Sequence, residues 1–366
     1  MKKTKKNTNK SFVEKLKRIP SAILRFVKRH RWFQILLVTL AMLSLVFTVM
    51  VVHYNFKHRN DPVILGVSFS KKYADELGID WQDNFTALLD DLEFRNFRLM
   101  SYWDEVEPEN NQYDFSILDW QMNEAAKRNA KVNLAIGQRQ PRWPECHDPS
   151  WAKELDEDTF NEALYDYLSV VVNRYKDHPA LEQYQLENEI FNDLFGDCER
   201  TDRSRVQTEF DLVKSIDTVH PVSINVASQE GVPPIRGPIG DKIGFSVYRI
   251  ANGDFFGKNI YFYMPYPAFY HTIRAEFVEL VHGTPTFIHE LQTEPWGPVA
   301  TKNLTIEEQD QSMSVEQIKN NVHFGLSTGI KEIYMWGGEW WYWRMTKFND
   351  NSQWETVRNL LIDKQG

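Results

Sequence analysis

Two glutamates, Glu189 and Glu290, end short apolar runs of the kind that form buried strands. Glu189 ends residues 182–189 (EQYQLENE), and Glu290 ends residues 284–290 (TPTFIHE). About 100 residues separate them, which equals about three strand–helix units of roughly 30 residues each in an eight-unit barrel. Both carboxylates would then lie at the C-terminal rim of one parallel barrel. Such a pair can cleave a glycosidic bond, because one group donates a proton while the other attacks carbon or activates water.

Segments with strand and helix patterns alternate along residues 62–366. Apolar runs predict eight strands, at residues 63–70, 96–101, 131–137, 183–187, 221–227, 242–248, 284–289 and 332–336. Apolar residues at helical spacing predict helices at residues 81–92, 115–128, 159–175, 203–219, 270–281, 314–328 and 354–362. The connection near residues 229–240 is rich in Gly and Pro and shows no helix pattern. Eight alternating units predict an α/β fold, a (β/α)8 TIM barrel.

A doubly wound open sheet is the alternative fold for this alternation. Its nucleotide-binding form needs a glycine-rich phosphate loop after the first strand. The sequence after residues 63–70 contains no such loop. We therefore favour the closed barrel.

The N-terminal region predicts a membrane anchor. Residues 1–32 form a basic tail, with twelve Lys or Arg and one acid among the first 31 residues. Residues 33–52 (FQILLVTLAMLSLVFTVMVV) are predominantly apolar and long enough to cross a bilayer core as one transmembrane helix. Residues 53–61 would link this helix to a single domain, residues 62–366. The alternative is a cleaved signal peptide. Signal peptides, however, have a shorter apolar run, which is followed by a cleavage site of small residues, and no such site follows residue 52 here.

The charge distribution predicts the orientation and restricts the partners. Because the basic flank precedes the apolar helix, the positive-inside rule predicts a single-pass cell-membrane protein with a cytoplasmic N-terminus and an extracytoplasmic domain. The tail would lie along anionic lipid headgroups. Beyond the tail the chain has 30 basic and 50 acidic residues. This negative charge excludes nucleic acid as a partner and favours a neutral substrate over an acidic one.

Cys146 and Cys198 are the two cysteines of the chain. They follow the third and fourth predicted strands, whose loops emerge side by side at one rim of a barrel. An extracytoplasmic compartment permits a disulfide, so we expect these cysteines to form one, with two free thiols as the alternative. Because no His cluster accompanies them, they do not predict a zinc site.

Four predicted strand ends carry distinctive motifs. They are WDEVEPE followed by YDF in the loop 103–115 after the second strand, Asn188-Glu189 after the fourth, Glu290 after the seventh and Trp336 after the eighth. Together these motifs resemble clan A of the glycoside hydrolases, a group of (β/α)8 retaining enzymes that includes the cellulase-like family 5. The resemblance covers roughly residues 62–345. It implies an O-glycosidase that acts by double displacement without a cofactor or a metal.

The resemblance assigns a role to each glutamate. Glu189 would be the acid/base, and Asn188 would hydrogen-bond the sugar 2-hydroxyl. Glu290 would be the nucleophile. Glu294 is the alternative, but the apolar run ends two residues before Glu290, which places Glu290 nearer the rim and Glu294 in the following loop. Strand alternation predicts that Glu187 points away from the barrel interior.

Further residues would hold the nucleophile or the sugar. Arg98 on the second strand and Tyr248 on the sixth match clan residues that contact the nucleophile; a salt bridge in the barrel mouth and core packing are the alternatives. Trp336 would form the floor under the sugar at the cleavage point, because indole faces pack on the C–H faces of sugars. Aromatic residues on other rim loops would be outer platforms for the sugar: Trp103, Trp143 and Trp296.

The sequence departs from family 5 at two strand ends. Residues 137–140 (GQRQ) lack the His that often follows the third strand, and Ser246-Val247-Tyr248 replaces His-x-Tyr on the sixth. We therefore interpret the chain as a clan A glycosidase of unassigned family that acts on neutral oligo- or polysaccharides. The alternatives are a transglycosylase of the same fold, a glycan-binding barrel without catalysis, and a metal-dependent barrel enzyme. For a metal site the sequence offers only scattered ligands, such as His289 and Asp104.

Overall fold

The structure is a computed structural model that describes residues 30–190, 195–198, 204–226 and 239–365. The chain divides into two compact units, residues 1–53 and residues 54–366. Most of the predicted basic tail, up to residue 29, lies outside the described residues, as does most of the Gly- and Pro-rich connection near residues 229–240.

The N-terminal helix runs from Arg31 to Lys57 and is long and apolar enough to cross a membrane by length and composition. It is therefore longer than the predicted residues 33–52, and the predicted linker at residues 53–61 is wrong in its first five residues, which are helical. Packing explains the extension. Tyr54 is buried, with its hydroxyl 3.4 Å from the Thr286 hydroxyl, and the Lys57 ammonium lies 2.5 Å from the Glu279 carboxylate.

The described part of the chain forms eight parallel strands, which close into the predicted barrel, and a separate hairpin. The strands in chain order are β1 Ile64–Ser68, β2 Asn96–Met100, β3 Lys131–Ile136, β4 Leu181–Leu186, β5 Val222–Val226, β6 Lys242–Val247, β7 Ile250–Phe255, β8 Lys258–Tyr263, β9 Thr286–Gln292 and β10 Glu332–Trp336. The barrel strands are hydrogen-bonded in the order β1-β10-β9-β6-β5-β4-β3-β2, and β7 and β8 pair as an antiparallel hairpin that follows β6.

All eight predicted barrel strands are present, whereas the β7–β8 hairpin was not predicted. The seven predicted helices are also present, at Trp81–Asp90, Ser116–Lys127, Glu157–Tyr175, Arg205–Ile216, Ala268–His282, Val315–Ser327 and Ser352–Gln365. The unpredicted helices are mostly short and lie in the connections: Lys71–Leu77, Trp103–Val106, Ser150–Lys153, Ile306–Met313 and Gly338–Phe348, with a 3-10 turn at Thr301–Asn303.

Side-chain capping explains one of the shifted boundaries. The helix predicted to begin at Thr159 begins at Glu157, because the Asp156 carboxylate accepts a hydrogen bond from the Thr159 amide as the N-cap.

Strand alternation separates an apolar outer layer from a polar barrel interior. On β2, Phe97 and Leu99 are fully buried in the main hydrophobic core. Arg98 lies between them and contacts Gln185 on β4 and Glu290 on β9, across the barrel. Because neighbouring side chains of a strand point to opposite faces, Arg98 must project into the barrel interior. The sheet therefore delivers polar groups to the C-terminal rim from several strands.

Candidate active site

Glu290 lies inside β9, two residues before the strand ends. Its carboxylate accepts hydrogen bonds from the Arg98 guanidinium at 2.7 Å and from the Tyr248 hydroxyl at 2.8 Å. Arg98 lies on β2 and is fully buried, and Tyr248 directly follows β6. These two donors hold the carboxylate in a fixed position and orientation, as a nucleophile needs.

A β-bulge brings His289 to the same side of the sheet as Glu290. Between the pairs Phe245–Ile288 and Ser246–Glu290, β6 advances by one residue and β9 by two. The pairing with β10 shows the same extra residue in β9. Such a bulge interrupts the strict alternation of side chains. As a result, His289 Nε2 lies 3.8 Å from Glu290 Oε1, although the two residues are consecutive.

Glu189 is presented by a turn directly after β4. Glu187 and Glu189 both adopt the left-handed backbone conformation, with φ of 55° and 46°, which is uncommon for residues other than glycine. Residues held in such conformations cluster at functional sites, because the surrounding structure must compensate for the strain. The turn separates the two carboxylates: Glu187 accepts hydrogen bonds from the backbone amides of Gln138 and Arg139, whereas Glu189 lines the cleft.

Ser246 and His289 form a hydrogen-bonded chain to Glu189. The Ser246 hydroxyl donates to Glu189 Oε1, and it lies 3.1 Å from His289 Nε2. Burial and the neighbouring Arg98 lower the pKa of His289 well below its usual value, so the ring is neutral. A neutral ring can donate from Nε2 to the Ser246 oxygen while that hydroxyl donates to Glu189. This chain fixes the position of the Glu189 carboxylate.

Both the oxygen and the nitrogen of the Asn188 side-chain amide are hydrogen-bonded. Its oxygen accepts from Arg98 at 2.8 Å and from Gln185 at 3.2 Å, and its nitrogen donates to Glu145 at 2.9 Å. Arg98 therefore contacts both the candidate nucleophile and the residue beside the candidate acid/base. One guanidinium thus sets the relative position of the β4 and β9 groups.

The two candidate catalytic carboxylates lie close together. One oxygen from each of Glu189 and Glu290, and one nitrogen of His289, all lie within 4.8 Å of one another. Retaining glycosidases place their carboxyl groups about 5–5.5 Å apart, and inverting enzymes about 6.5–9.5 Å apart. The spacing is therefore closer to the retaining than to the inverting geometry. A cation at this cluster would be opposed by the Arg98 guanidinium, which already contacts Glu290.

Glu294, the alternative nucleophile, has a different environment. It lies in the loop after β9 and is paired with Arg142 through contacts of 2.5 and 3.1 Å. Arg142 also lies 3.3 Å from Glu339, and its guanidinium is stacked between the rings of Tyr73 and Trp336 at 3.6 and 3.9 Å. Glu294 is thus held in a separate ion-pair cluster.

The predicted aromatic platforms divide into cleft and core residues. Trp336 ends β10 and lines the cleft, as do Trp296 and Trp143, whose side chains are 36% and 65% exposed. Trp103 does not: it is fully buried, donates from Nε1 to Glu107 and packs against core aromatic rings. The prediction for Trp103 is therefore wrong, because the short helix Trp103–Val106 turns this residue inward instead of leaving it on a rim loop.

The cleft has a volume of about 790 Å³, within the range of small-molecule sites. The loop after β3 supplies three of its lining residues, Arg142, Trp143 and Glu145. The predicted disulfide between Cys146 and Cys198 is confirmed, with their Cα atoms 5.2 Å apart, and it fixes this loop. The bond joins the loop after β3 to the loop after β4.

Four residues of the site were not predicted as such: Arg142, Glu145, Ser246 and His289. Arg142 and Glu145 lie well beyond the end of β3, far along the loop that follows it, so strand-based reasoning could not place them. In the sequence, Ser246 stands out only as a departure from the family 5 pattern, although its position on β6 is a usable signal. His289 stands out only as a scattered potential metal ligand, because strand alternation predicts that it lies on the opposite face from Glu290.

Comparison with known proteins relates the chain to glycosidases. The model of a β-galactosidase family, glycoside hydrolase family 42, matches residues 80–219, which include Arg98, Asn188 and Glu189. This match covers less than half of the chain. No curated protein sequence matches the chain significantly.

Solved glycosidase structures share the fold. Xylanase 10B from Thermotoga maritima has 14% identity and a TM-score of 0.54, over 82% of this chain and 95% of that chain. A variant of xylanase 10C from Cellvibrio japonicus, in complex with xylopentaose, has 16% identity and a TM-score of 0.55, over 83% and 68%. The exo-β-1,4-mannosidase Op5Man5 from Opitutaceae bacterium strain TAV5 has 14% identity and a TM-score of 0.50, over 75% and 51%. The family match and the common barrel confirm the resemblance to the clan A (β/α)8 glycosidases.

Proposed function

We propose that the chain is a membrane-anchored, extracytoplasmic glycoside hydrolase that cleaves O-glycosidic bonds with retention of configuration. The observation that carries this proposal is the pairing of Glu189 and Glu290 across the cleft, with one oxygen of each within 4.8 Å. The clan A fold and the contacts of Arg98 and Tyr248 to Glu290 support the same function.

The reaction has two steps. In the first, Glu290 attacks the anomeric carbon while Glu189 protonates the departing glycosidic oxygen, which gives a glycosyl-enzyme and a free alcohol. In the second, Glu189 removes a proton from water, which attacks the same carbon and releases Glu290. Arg98 and Tyr248 hold Glu290 in position for the attack. Ser246 holds Glu189 in place through both proton transfers.

The charges of the cleft support a neutral glycan as substrate. Besides Glu145, four acidic residues line the cleft against two basic ones: Glu76, Glu189, Glu290 and Glu294 against Lys72 and Arg142. Both cations are already paired, Lys72 with Asp104 at 2.6 Å and Arg142 with Glu294. An acidic sugar would therefore meet net negative charge. Exposed Trp143 and Trp296 would stack on neighbouring sugar units.

The N-terminal sequence supports the proposed location. The helix Arg31–Lys57 would span the membrane once, and the basic residues before it would keep the N-terminus in the cytoplasm and contact anionic lipid. Protease treatment of intact cells that carry tags at both termini tests this arrangement. We expect cleavage of the C-terminal tag only, and protection of both tags would contradict it.

Hydrolysis of a panel of aryl glycosides by the detergent-solubilised full chain tests the activity. We expect turnover of at least one neutral glycoside by the wild type, and loss of turnover in Glu189→Gln with folding retained. Glu182→Gln is the matched control, because Glu182 is an exposed glutamate on β4, the strand that Glu189 follows. Binding without turnover would indicate a glycan-binding barrel, and a large excess of transfer products over hydrolysis would indicate a transglycosylase.

A further inference from the structure

A third buried carboxyl group, that of Glu145, lies at the cleavage point. It lines the cleft and is only 4% exposed. One of its oxygens accepts a hydrogen bond from the Asn188 amide nitrogen at 2.9 Å, so it lies directly beside the residue that precedes Glu189. The proposed double displacement uses two carboxylates and leaves Glu145 without a role.

The loop after β3 holds Glu145 firmly in this position. Its backbone is in the left-handed conformation, with φ of 76°. The following residue, Cys146, is bonded to Cys198 and forms a β-bridge with Arg139. A Cβ atom added to Gly196 would lie only 3.1 Å from the Glu145 Cβ, so the loop after β4 packs closely against it. A strained backbone fixed from several sides is a feature of functional residues.

The surroundings of Glu145 favour a protonated carboxyl group. Burial, together with the neighbouring Glu189 and Glu290, raises its pKa to about 8, while the Asn188 hydrogen bond and Arg139 oppose this shift. Arg139 Nε lies 3.6 Å away, too far for a direct hydrogen bond. A protonated carboxyl group can accept from Asn188 through one oxygen and donate to a ligand from the other.

We propose that Glu145 is a substrate-binding residue whose carboxyl group hydrogen-bonds the 3-hydroxyl of the sugar at the cleavage point. The inference rests on the proposed function, in which Asn188 contacts the 2-hydroxyl. Glu145 and Asn188 are themselves hydrogen-bonded, so two groups that they bind must be neighbours, and the 2- and 3-hydroxyls of a pyranose are adjacent. The substrate class is therefore a glycan whose sugar at the cleavage point has a free 3-hydroxyl. Internal bonds of (1→3)-linked chains are excluded.

Deoxy sugars test this assignment. The best aryl glycoside of the panel is compared with its 2-deoxy and 3-deoxy analogues on the wild type, Glu145→Ala and Glu145→Gln. For the wild type we expect kcat/KM to be about 10- to 100-fold lower on the 3-deoxy analogue, the usual effect of one hydrogen bond to a strongly polar group. In Glu145→Ala the parent glycoside should lose a similar factor, and the 3-deoxy analogue should then be cleaved about as well as the parent.

Glu145→Gln separates binding from folding, because an amide of the same size can accept from Asn188 and still donate to a hydroxyl. We expect it to restore most of the discrimination between the parent and the 3-deoxy analogue. Glu154→Ala, an exposed glutamate on the same connection, is the control. If Glu145→Ala slows all three substrates equally, or still distinguishes the 3-deoxy analogue, the assignment is wrong. Absence of turnover by the wild type on every glycoside would instead contradict the proposed function, on which the assignment depends.

Discussion

His289 and Glu290 are consecutive residues of β9, yet both side chains point into the barrel, with 3.8 Å between His289 Nε2 and Glu290 Oε1. The bulge in β9 makes this possible. It also places the ring beside Ser246, whose hydroxyl contacts Glu189. The histidine next to the candidate nucleophile therefore supports the candidate acid/base on the other side of the cleft.

Ser246→Ala should weaken acid catalysis more than nucleophilic attack. The variant loses the hydroxyl that holds Glu189, so we expect kcat/KM to fall about 10- to 100-fold for substrates with a poor leaving group, which need protonation. Dinitrophenyl glycosides need little protonation and should be affected much less. Kinetics across a series of aryl leaving groups measure this dependence. An equal loss for every leaving group would show that Ser246 acts in another way; Ser169→Ala, on an outer helix, serves as control.

Tyr54→Ala should destabilise the barrel unit although Tyr54 precedes the predicted domain boundary. Its ring is 2% exposed and belongs to the main hydrophobic core. Removal of a buried aromatic side chain costs about 3–5 kcal/mol, so we expect a clear fall in melting temperature. Phe56→Ala is the matched control, since Phe56 is on the same helix and 64% exposed. Equal melting temperatures for the two variants would contradict the placement of Tyr54.

Relative to the wild type, Glu145→Gln should stabilise the folded protein more at higher pH. The folded pKa of Glu145, about 8, is above the unfolded value of 4.5, because the site is buried and close to Glu189 and Glu290. Between these values the folded protein retains a proton that the unfolded chain has lost, so wild-type stability decreases with pH through this group. The difference in unfolding free energy between variant and wild type should grow by at most about 1.4 kcal/mol per pH unit. Urea unfolding at pH 5 and pH 8 measures it, and a difference that does not change with pH would show that Glu145 ionises normally.

The strand–helix alternation, the barrel and the disulfide were predictable from the sequence, because each depends on local patterns and on the fixed geometry of parallel strands. Glu189 and Glu290 follow from the same geometry, whereas Arg98 and Tyr248 follow from the resemblance to clan A; the structure brings all four together. The bulge in β9 was not predictable, because one extra residue leaves no mark in the hydrophobic pattern. Trp103 was misplaced for a related reason: a single helical turn reverses the direction of a side chain. Glu145 and Arg142 depend on the course of a long loop, which strand patterns do not determine.

The identity of the nucleophile is tested most directly by chemical rescue of Glu290→Ala with azide, on an aryl glycoside with an activated leaving group. We expect the variant to fold, to lose turnover, and to regain it with azide, which enters the space of the missing carboxylate and gives a glycosyl azide of inverted configuration. Glu182→Ala, which removes an exposed glutamate, should behave as wild type. The account would be contradicted if Glu290→Ala retained most activity while Glu294→Ala lost it and was rescued by azide in its place.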